Sequence, residues 1–195
     1  MTPTEQGCIA HTCAFVLEHH SGQTRKGSRI PYVSHLLQVA GLVLEHGGSI
    51  DQCLAGLCHD TLEDCDTVDL ALLQRVVGHA AAQIVVDCTD TLPNDSAHSK
   101  SDWKIRKQRY LDHLSGVSPE SALVAACDKL HNLQCMVADV RVDGLDYLSR
   151  FSAGPHDQIW YFRTFLNNTR DRLPQRLVHS LEHALNTFQD QIDLA

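Results

Sequence analysis

Apolar residues in this chain recur every three or four positions and never settle into strand-like alternation, which restricts the backbone to packed helices. Residues 4–20 carry Ile9, Cys13, Val16 and Leu17 at helical intervals and stop at Ser21-Gly22. A loop from Gln23 to Pro31 leads to a helix over 33–46 with Leu36, Val39 and Val43 inward, closed by Gly47-Gly48. A third helix starts with Asp51 as its amino cap, buries Leu54, Leu57 and Cys58, and carries His59, Asp60, Glu63 and Asp64 at its end. Thr67 is expected to cap a helix over 68–77, which Gly78 closes before another over 79–89. A polar loop follows to Asp102, and a loop of about a dozen residues is long enough to suspect function. Asp102 starts a basic helix to about Leu114, and Ser118-Pro119-Glu120 opens a helix to about Asp139. Beyond Gly144 come a short helical piece, Pro155, and one or two further helices broken at Leu173-Pro174. The expectation is one all-α domain over 1–195, a bundle of about eight to ten helices. Its motif-bearing core spans about 8–140, with additional helices over about 144–192.

Composition narrows the function classes. No apolar run approaches the ~18 residues of a membrane helix, and the amino terminus lacks the basic start and apolar stretch of a secretory signal. The reading is a cytoplasmic protein with no membrane partner. Eight cysteines without a Cys-x-x-Cys pair read as free thiols, mostly small buried hydrophobes. A net charge of −8 argues against DNA or RNA as partner. Yet half of the 16 Lys and Arg residues gather in two windows: Arg25, Lys26 and Arg29, then Lys100, Lys104, Arg106, Lys107 and Arg109. Such local concentration suits a small anionic ligand, and equally a solvated helix face.

The chemistry centres on His59-Asp60-Thr61-Leu62-Glu63-Asp64. The dipeptide alone means little, because 13 His and 18 Asp in 195 residues predict about one His-Asp pair by chance. A second copy, His156-Asp157, follows Pro155 at a helix start, lacks acids downstream, and reads as a decoy. His59 and Asp60 at a helix end can converge on one ion, with Glu63 and Asp64 one turn on. His35 and Asp128 are the best candidates for further ligands. Asp128 sits in an apolar stretch, where an unpaired carboxylate is costly; metal coordination, a salt bridge or a helix-end contact would each resolve that cost. Two imidazoles with two carboxylates favour one Mn²⁺ ion per chain over a thiolate-type zinc site, with Fe²⁺, Co²⁺ and Zn²⁺ also compatible. Such an ion acidifies water and neutralises charge building on a phosphoryl oxygen. A carboxylate one turn away can then move the proton, and the basic loop at 25–29 can clamp phosphates.

Three ordered blocks carry a resemblance. Arg25-Lys26 through Pro31-Tyr32 to His35, then Leu57-Cys58-His59-Asp60 through Glu63-Asp64 to Thr67, then Ala126-Cys127-Asp128-Lys129-Leu130-His131-Asn132-Leu133, resemble the hydrolase half of the RelA/SpoT alarmone enzymes. The likeness covers roughly residues 8–140 and is nearest to the small stand-alone alarmone hydrolases. It implies an HD-domain helical fold that uses Mn²⁺ to remove the 3′-pyrophosphate from guanosine tetra- and pentaphosphate. By position it implies His35, His59, Asp60 and Asp128 as metal ligands, and Glu63 and Asp64 as the pair that activates water and handles the proton. It further implies that Arg25 and Lys26 hold the nucleotide and its phosphates and that Asn132 contacts the ribose region. Leu36 stands where the family has Pro, and Cys127 where it has Ala.

Lys104, Arg106 and Lys107 are expected phosphate contacts, and the segment 89–104 is expected to shape the base and phosphate pockets. Tyr32 is balanced between packing and base contact, whereas His131 reads as a surface or packing residue. The leading expectation is a nucleotide 3′-pyrophosphohydrolase acting on guanosine or adenosine alarmones. The alternatives are another HD-type nucleotide phosphohydrolase, for example one acting on NADPH, and a non-catalytic alarmone-binding module.

Overall fold

The computed structural model describes residues 1–90 and 102–194. Among these residues the chain is all-α. The helices are α1 (Pro3–His19), α2 (Val33–Glu45), α3 (Ile50–Cys58), α4 (Thr61–Asp64), α5 (Leu70–Cys88), α6 (Trp103–Leu114), α7 (Pro119–Asp143), α8 (Pro155–Thr169) and α9 (Gln175–Asp193). Short 3₁₀ turns occupy Leu145–Arg150 and Arg170–Arg172, and one isolated bridge joins Thr24 to Pro31. Most of the expected substrate loop, residues 91–101, lies outside the described residues.

Local chemistry explains where helices begin. Thr2 and Glu5 form a reciprocal capping box on α1, with Pro3 at its first turn. The cap of α3 is Ser49 rather than Asp51. Ser49 accepts from the Gln52 amide at 3.3 Å while its own amide donates to Gln52 Oε1 at 2.7 Å, a reciprocal pair that places Asp51 inside the first turn. Thr67 likewise does not cap the next helix. Asp69 does, accepting from the Leu72 amide at 2.7 Å, and the Thr67 hydroxyl pairs with the His19 ring instead. The two helices expected on either side of Gly78 are both present within α5, broken at Gly78, whose φ of 84° and ψ of 167° suit only glycine. Ser118 and Pro119 open α7 as expected, but the helix runs on to Asp143 and ends at Gly144 with φ of 73°.

The largest departure is functional. The expected single helix through His59 to Asp64 is broken: α3 ends at Cys58, Asp60 adopts φ of −99° and ψ of −1°, and α4 restarts at Thr61. The Asp60 carbonyl then accepts from the amides of Glu63 and Asp64.

Helix α7 is the central rod, packed by α2, α3, α5, α8 and α9. One buried apolar cluster contains Leu36 from α2, Leu57 from α3, Leu130 and Leu133 from α7, Phe165 from α8, and Leu177, Leu181 and Phe188 from α9. Removing this surface from water is the main stabilising force. The α2–α3 contact is close: a Cβ on Gly56 would stand 3.3 Å from the Ala40 Cα. All eight cysteines are free, four of them (Cys53, Cys58, Cys65 and Cys127) buried. Among the described residues no helix is long and apolar enough to cross a membrane.

Candidate active site

The inward face of α2, the end of α3 and the middle of α7 bring four side chains to one point. His35 Nε2 lies 3.2 Å from His59 Nε2, 3.1 Å from Asp128 Oδ1 and 3.6 Å from Asp60 Oδ2. His59 Nε2 lies 3.0 Å from Asp60 Oδ2 and 3.6 Å from Asp128 Oδ1. His35, His59 and Asp128 are buried, and their ligand atoms all lie within 4.8 Å of one another. Neighbouring ligands about 2.1 Å from a common ion stand about 3 Å apart, so these separations fit one divalent cation.

The surrounding hydrogen bonds aim the donor atoms. His59 Nδ1 is 2.9 Å from the Gly56 carbonyl, which can only accept; Nδ1 therefore carries a proton, and the nitrogen left to meet a cation is Nε2. Tyr32 donates its hydroxyl to Asp60 Oδ2 at 2.6 Å. Asp128 accepts from Asn132 Nδ2 at 2.6 Å through Oδ1 and from the Lys129 ammonium through Oδ2. His35 Nδ1 meets His131 Nδ1 at 2.7 Å.

Electrostatics follow from burial and these partners. Burial alone would raise both aspartic acids, but the His59 ring beside Asp60 and the Lys129 ammonium beside Asp128 outweigh it and hold both carboxyls well below their usual range. The two imidazoles of the cluster divide. Burial pushes His35 down, whereas at His59 the Asp60 carboxylate overcomes burial and lifts the ring. Burial, reinforced by His35 and Arg25, pushes His131 down to about 4, so it is a neutral ring at neutral pH.

Glu63 and Asp64 sit together on α4 at the solvent-facing lip. Desolvation by the surrounding chain, then the Asp90 and Asp60 carboxylates, push Glu63 up. Desolvation and Asp60 push Asp64 up as well. Both side chains keep contact with solvent, so the lift is partial. Carboxyls shifted upward beside ionised ones are matched to proton transfer.

A cleft of about 630 Å³ opens beside the cluster, lined among others by Arg25, Lys26, Tyr32, His131, Asn132 and Tyr147. A smaller cleft of about 230 Å³ shares Arg25, Asn132 and Tyr147 and adds Trp103, Lys107, Lys129 and Tyr161. Arg25 donates to Asn132 Oδ1 at 2.7 Å, which links the basic loop through Asn132 to Asp128. Lys26 stands over the Phe151 ring at 5.3 Å. The Tyr32 ring stacks on His20, with centroids 5.5 Å apart and planes 15° apart, and its hydroxyl is committed to Asp60.

The basic helix α6 is less available than its charge suggests. Lys104 is exposed, pairs with Asp157 at 3.1 Å, and lines neither cleft. Lys107 lines the smaller cleft but is ion-paired to Asp90. Arg106 lines neither cleft, and its Nε has no hydrogen-bond partner among the described residues. The second His-Asp pair stays away from the cluster, with Asp157 in the first turn of α8.

Sequence reasoning missed Lys129 and His131. Lys129 is a half-buried cation whose ammonium also stands 5.2 Å from the Tyr110 ring and 5.9 Å from the Tyr161 ring. No local spacing could reveal that cage, because α6 and α8 build it. His131, three residues after Asp128, carried a usable signal, since positions three apart share a helix face.

The HD-domain family profile matches residues 12–146. A Danio rerio protein named guanosine-3′,5′-bis(diphosphate) 3′-pyrophosphohydrolase MESH1 is 33% identical over 138 residues, 69% of this chain and 72% of that protein. Its Xenopus tropicalis namesake is 32% identical over 136 residues, 67% of this chain and 70% of that protein. A solved structure described as a metazoan orthologue of SpoT that hydrolyses ppGpp superimposes with a TM-score of 0.71 at 20% identity, covering 95% of this chain and 96% of its own.

Proposed function

The chain belongs to the HD-domain family, among its RelA/SpoT-type hydrolases, and on that premise we propose that it removes pyrophosphate from the 3′ position of a nucleoside 3′,5′-bis(diphosphate). The observation that carries this reading is the convergence of His35, His59, Asp60 and Asp128 within one turn of Glu63 and Asp64, beside a cleft edged by Arg25 and Lys26. The donor set of two imidazole nitrogens and two carboxylate oxygens fits one divalent ion, Mn²⁺ in this proposal. When bound, that ion supplies acidified water and neutralises charge on the phosphoryl group.

The chain's own residues do the rest. Arg25 and Lys26 take the phosphates, and Asn132, fixed between Arg25 and Asp128, contacts the ribose end. In the reaction the bond between the 3′-oxygen and phosphorus breaks, and the water oxygen bonds to that phosphorus. Glu63 or Asp64 accepts the proton that water loses, and the departing 3′-oxygen regains one from the same pair. Their raised pKa values suit both directions of transfer.

The test is a substrate panel with Mn²⁺ added: the guanosine and adenosine 3′,5′-bis(diphosphates) and NADPH, with pyrophosphate resolved from orthophosphate. Pyrophosphate release from a bis(diphosphate) is expected. Orthophosphate release from NADPH alone would make the chain a different HD phosphohydrolase, and nucleotide binding without turnover would make it a binding module.

A further inference from the structure

We infer that His131 is a positioning residue that holds His35 in the one tautomer able to present Nε2 to a divalent cation. This rests on the proposal that His35 is a metal ligand. The two Nδ1 atoms are 2.7 Å apart, a hydrogen-bond distance that requires a proton on one of them. The His35 Nε2 atom points into the cluster, 3.1 Å from Asp128 Oδ1 and 3.2 Å from His59 Nε2. Without a cation, Nε2 donates to the Asp128 carboxylate; with a cation on Nε2 that donation is lost, and the single N–H of the neutral ring sits on His35 Nδ1. His35 therefore donates and His131 Nδ1 accepts.

The proton of His131 then belongs on its Nε2. That atom lies 3.6 Å from the Cys135 sulfur, one turn further along α7, a weak acceptor consistent with the assignment. The same arrangement recurs at the second ligand ring, where His59 Nδ1 donates to the Gly56 carbonyl. The two imidazoles of the cluster are thus oriented alike. One leans on backbone; the other leans on a side chain that substitution can remove.

His131 also lines the larger cleft, so a substrate role competes with this one and the experiment must separate them. His131→Phe fills the space but offers no acceptor, whereas His131→Gln supplies an amide oxygen. Mn²⁺ affinity is measured by competition with a chelating dye, and the ring tautomers by nitrogen NMR of histidine-labelled protein loaded with diamagnetic Zn²⁺. Loss of such a supporting partner typically weakens metal binding ~10–100-fold. The expected result is a loss of that size in His131→Phe, substantial recovery in His131→Gln, and His35 in the Nδ1–H form in the wild type.

Equal Mn²⁺ affinity in His131→Phe and wild type overturns the inference, as does a rise in KM with affinity unchanged. So does an equal loss in both variants, which would point to ring packing. Should His131→Phe not fold, an Nε2–H tautomer at His35 in the wild type overturns the inference by itself. A wild type that binds no divalent cation removes the metal-site reading and this inference together. A wild type that binds Mn²⁺ no better than His131→Phe removes only this one.

Discussion

Glu63 lies among Asp60, Asp64 and Asp90, so its ionisation is opposed by each of them after the cost of partial desolvation. Its folded-state pKa is raised above that of the unfolded chain, which fixes the sign of the pH effect. The protonated form is favoured in the fold, so the contribution to stability is full below the unfolded pKa and is lost as pH rises through the folded one. Glu63→Gln removes that loss. Metal-free Glu63→Gln should melt above wild type at neutral pH, with the gap closing as pH falls into the carboxylate range; thermal melts across pH check it. Turnover should fall about 10²–10⁴-fold, the usual weight of a proton-transfer group, while Mn²⁺ binding persists. Tyr32 makes a second case. Its hydroxyl is spent on Asp60 Oδ2, so Tyr32→Phe should weaken Mn²⁺ affinity by about tenfold, the low end for a lost supporting partner, as read by the same chelator competition. Sequence spacing reached the residues on short local intervals but left Tyr32 undecided, because its partner lies on another element.

At the scale of helices, the distance between the His35 and His59 rings is a property of the α2–α3 crossing. Gly56 permits it: a Cβ there would press on Ala40 at 3.3 Å from Cα and 3.4 Å from the amide nitrogen, and on Val43 Cγ2 at 3.4 Å. Backbone cannot yield as a flexible side-chain tip does. Gly56→Ala should therefore separate the helices that carry His35 and His59, lowering Mn²⁺ affinity more than its effect on thermal stability explains; titration and melting of the same sample test this. Helix placement was largely readable because apolar periodicity survives any tertiary context, and Ser118-Pro119 announced α7 correctly. The caps at Ser49 and Asp69 were misplaced by two residues each, in opposite situations: Ser49 won through a reciprocal bond with Gln52, while Thr67 was drawn away by His19. The break at Asp60 was not readable. It is stabilised by contacts from α2 and from the loop before it, which no local pattern encodes.

For the molecule as a whole, the question is whether α8 and α9 are accessory or integral. The family profile ends at residue 146, yet Phe165, Leu177, Leu181 and Phe188 are fully buried in the same cluster as Leu130 and Leu133. Each such side chain contributes about 1.5–3 kcal/mol by burial, against a total stability of roughly 5–15 kcal/mol for a domain. A chain truncated after Gly144 should lose its cooperative melting transition, whereas the full chain should show one; circular dichroism on both decides it.

The contact between the loop over residues 23–31 and the 3₁₀ turn over Leu145–Arg150 has an evolutionary consequence. Gly27 has φ of 71°, and a Cβ on it would fall 2.5 Å from the Arg150 Cδ. Arg150 in turn lies over the Tyr147 ring at 4.9 Å, in the wall of the larger cleft. A side chain at position 27 must therefore adopt a left-handed backbone and displace the Arg150 side chain from its place over Tyr147. In lineages where a side chain arises at the first, a shorter residue should accompany it at the second, and the cleft wall should be remodelled with it. Under the proposed function, such paired changes offer a hereditary route to new nucleotide preferences that leaves His35, His59, Asp60 and Asp128 untouched.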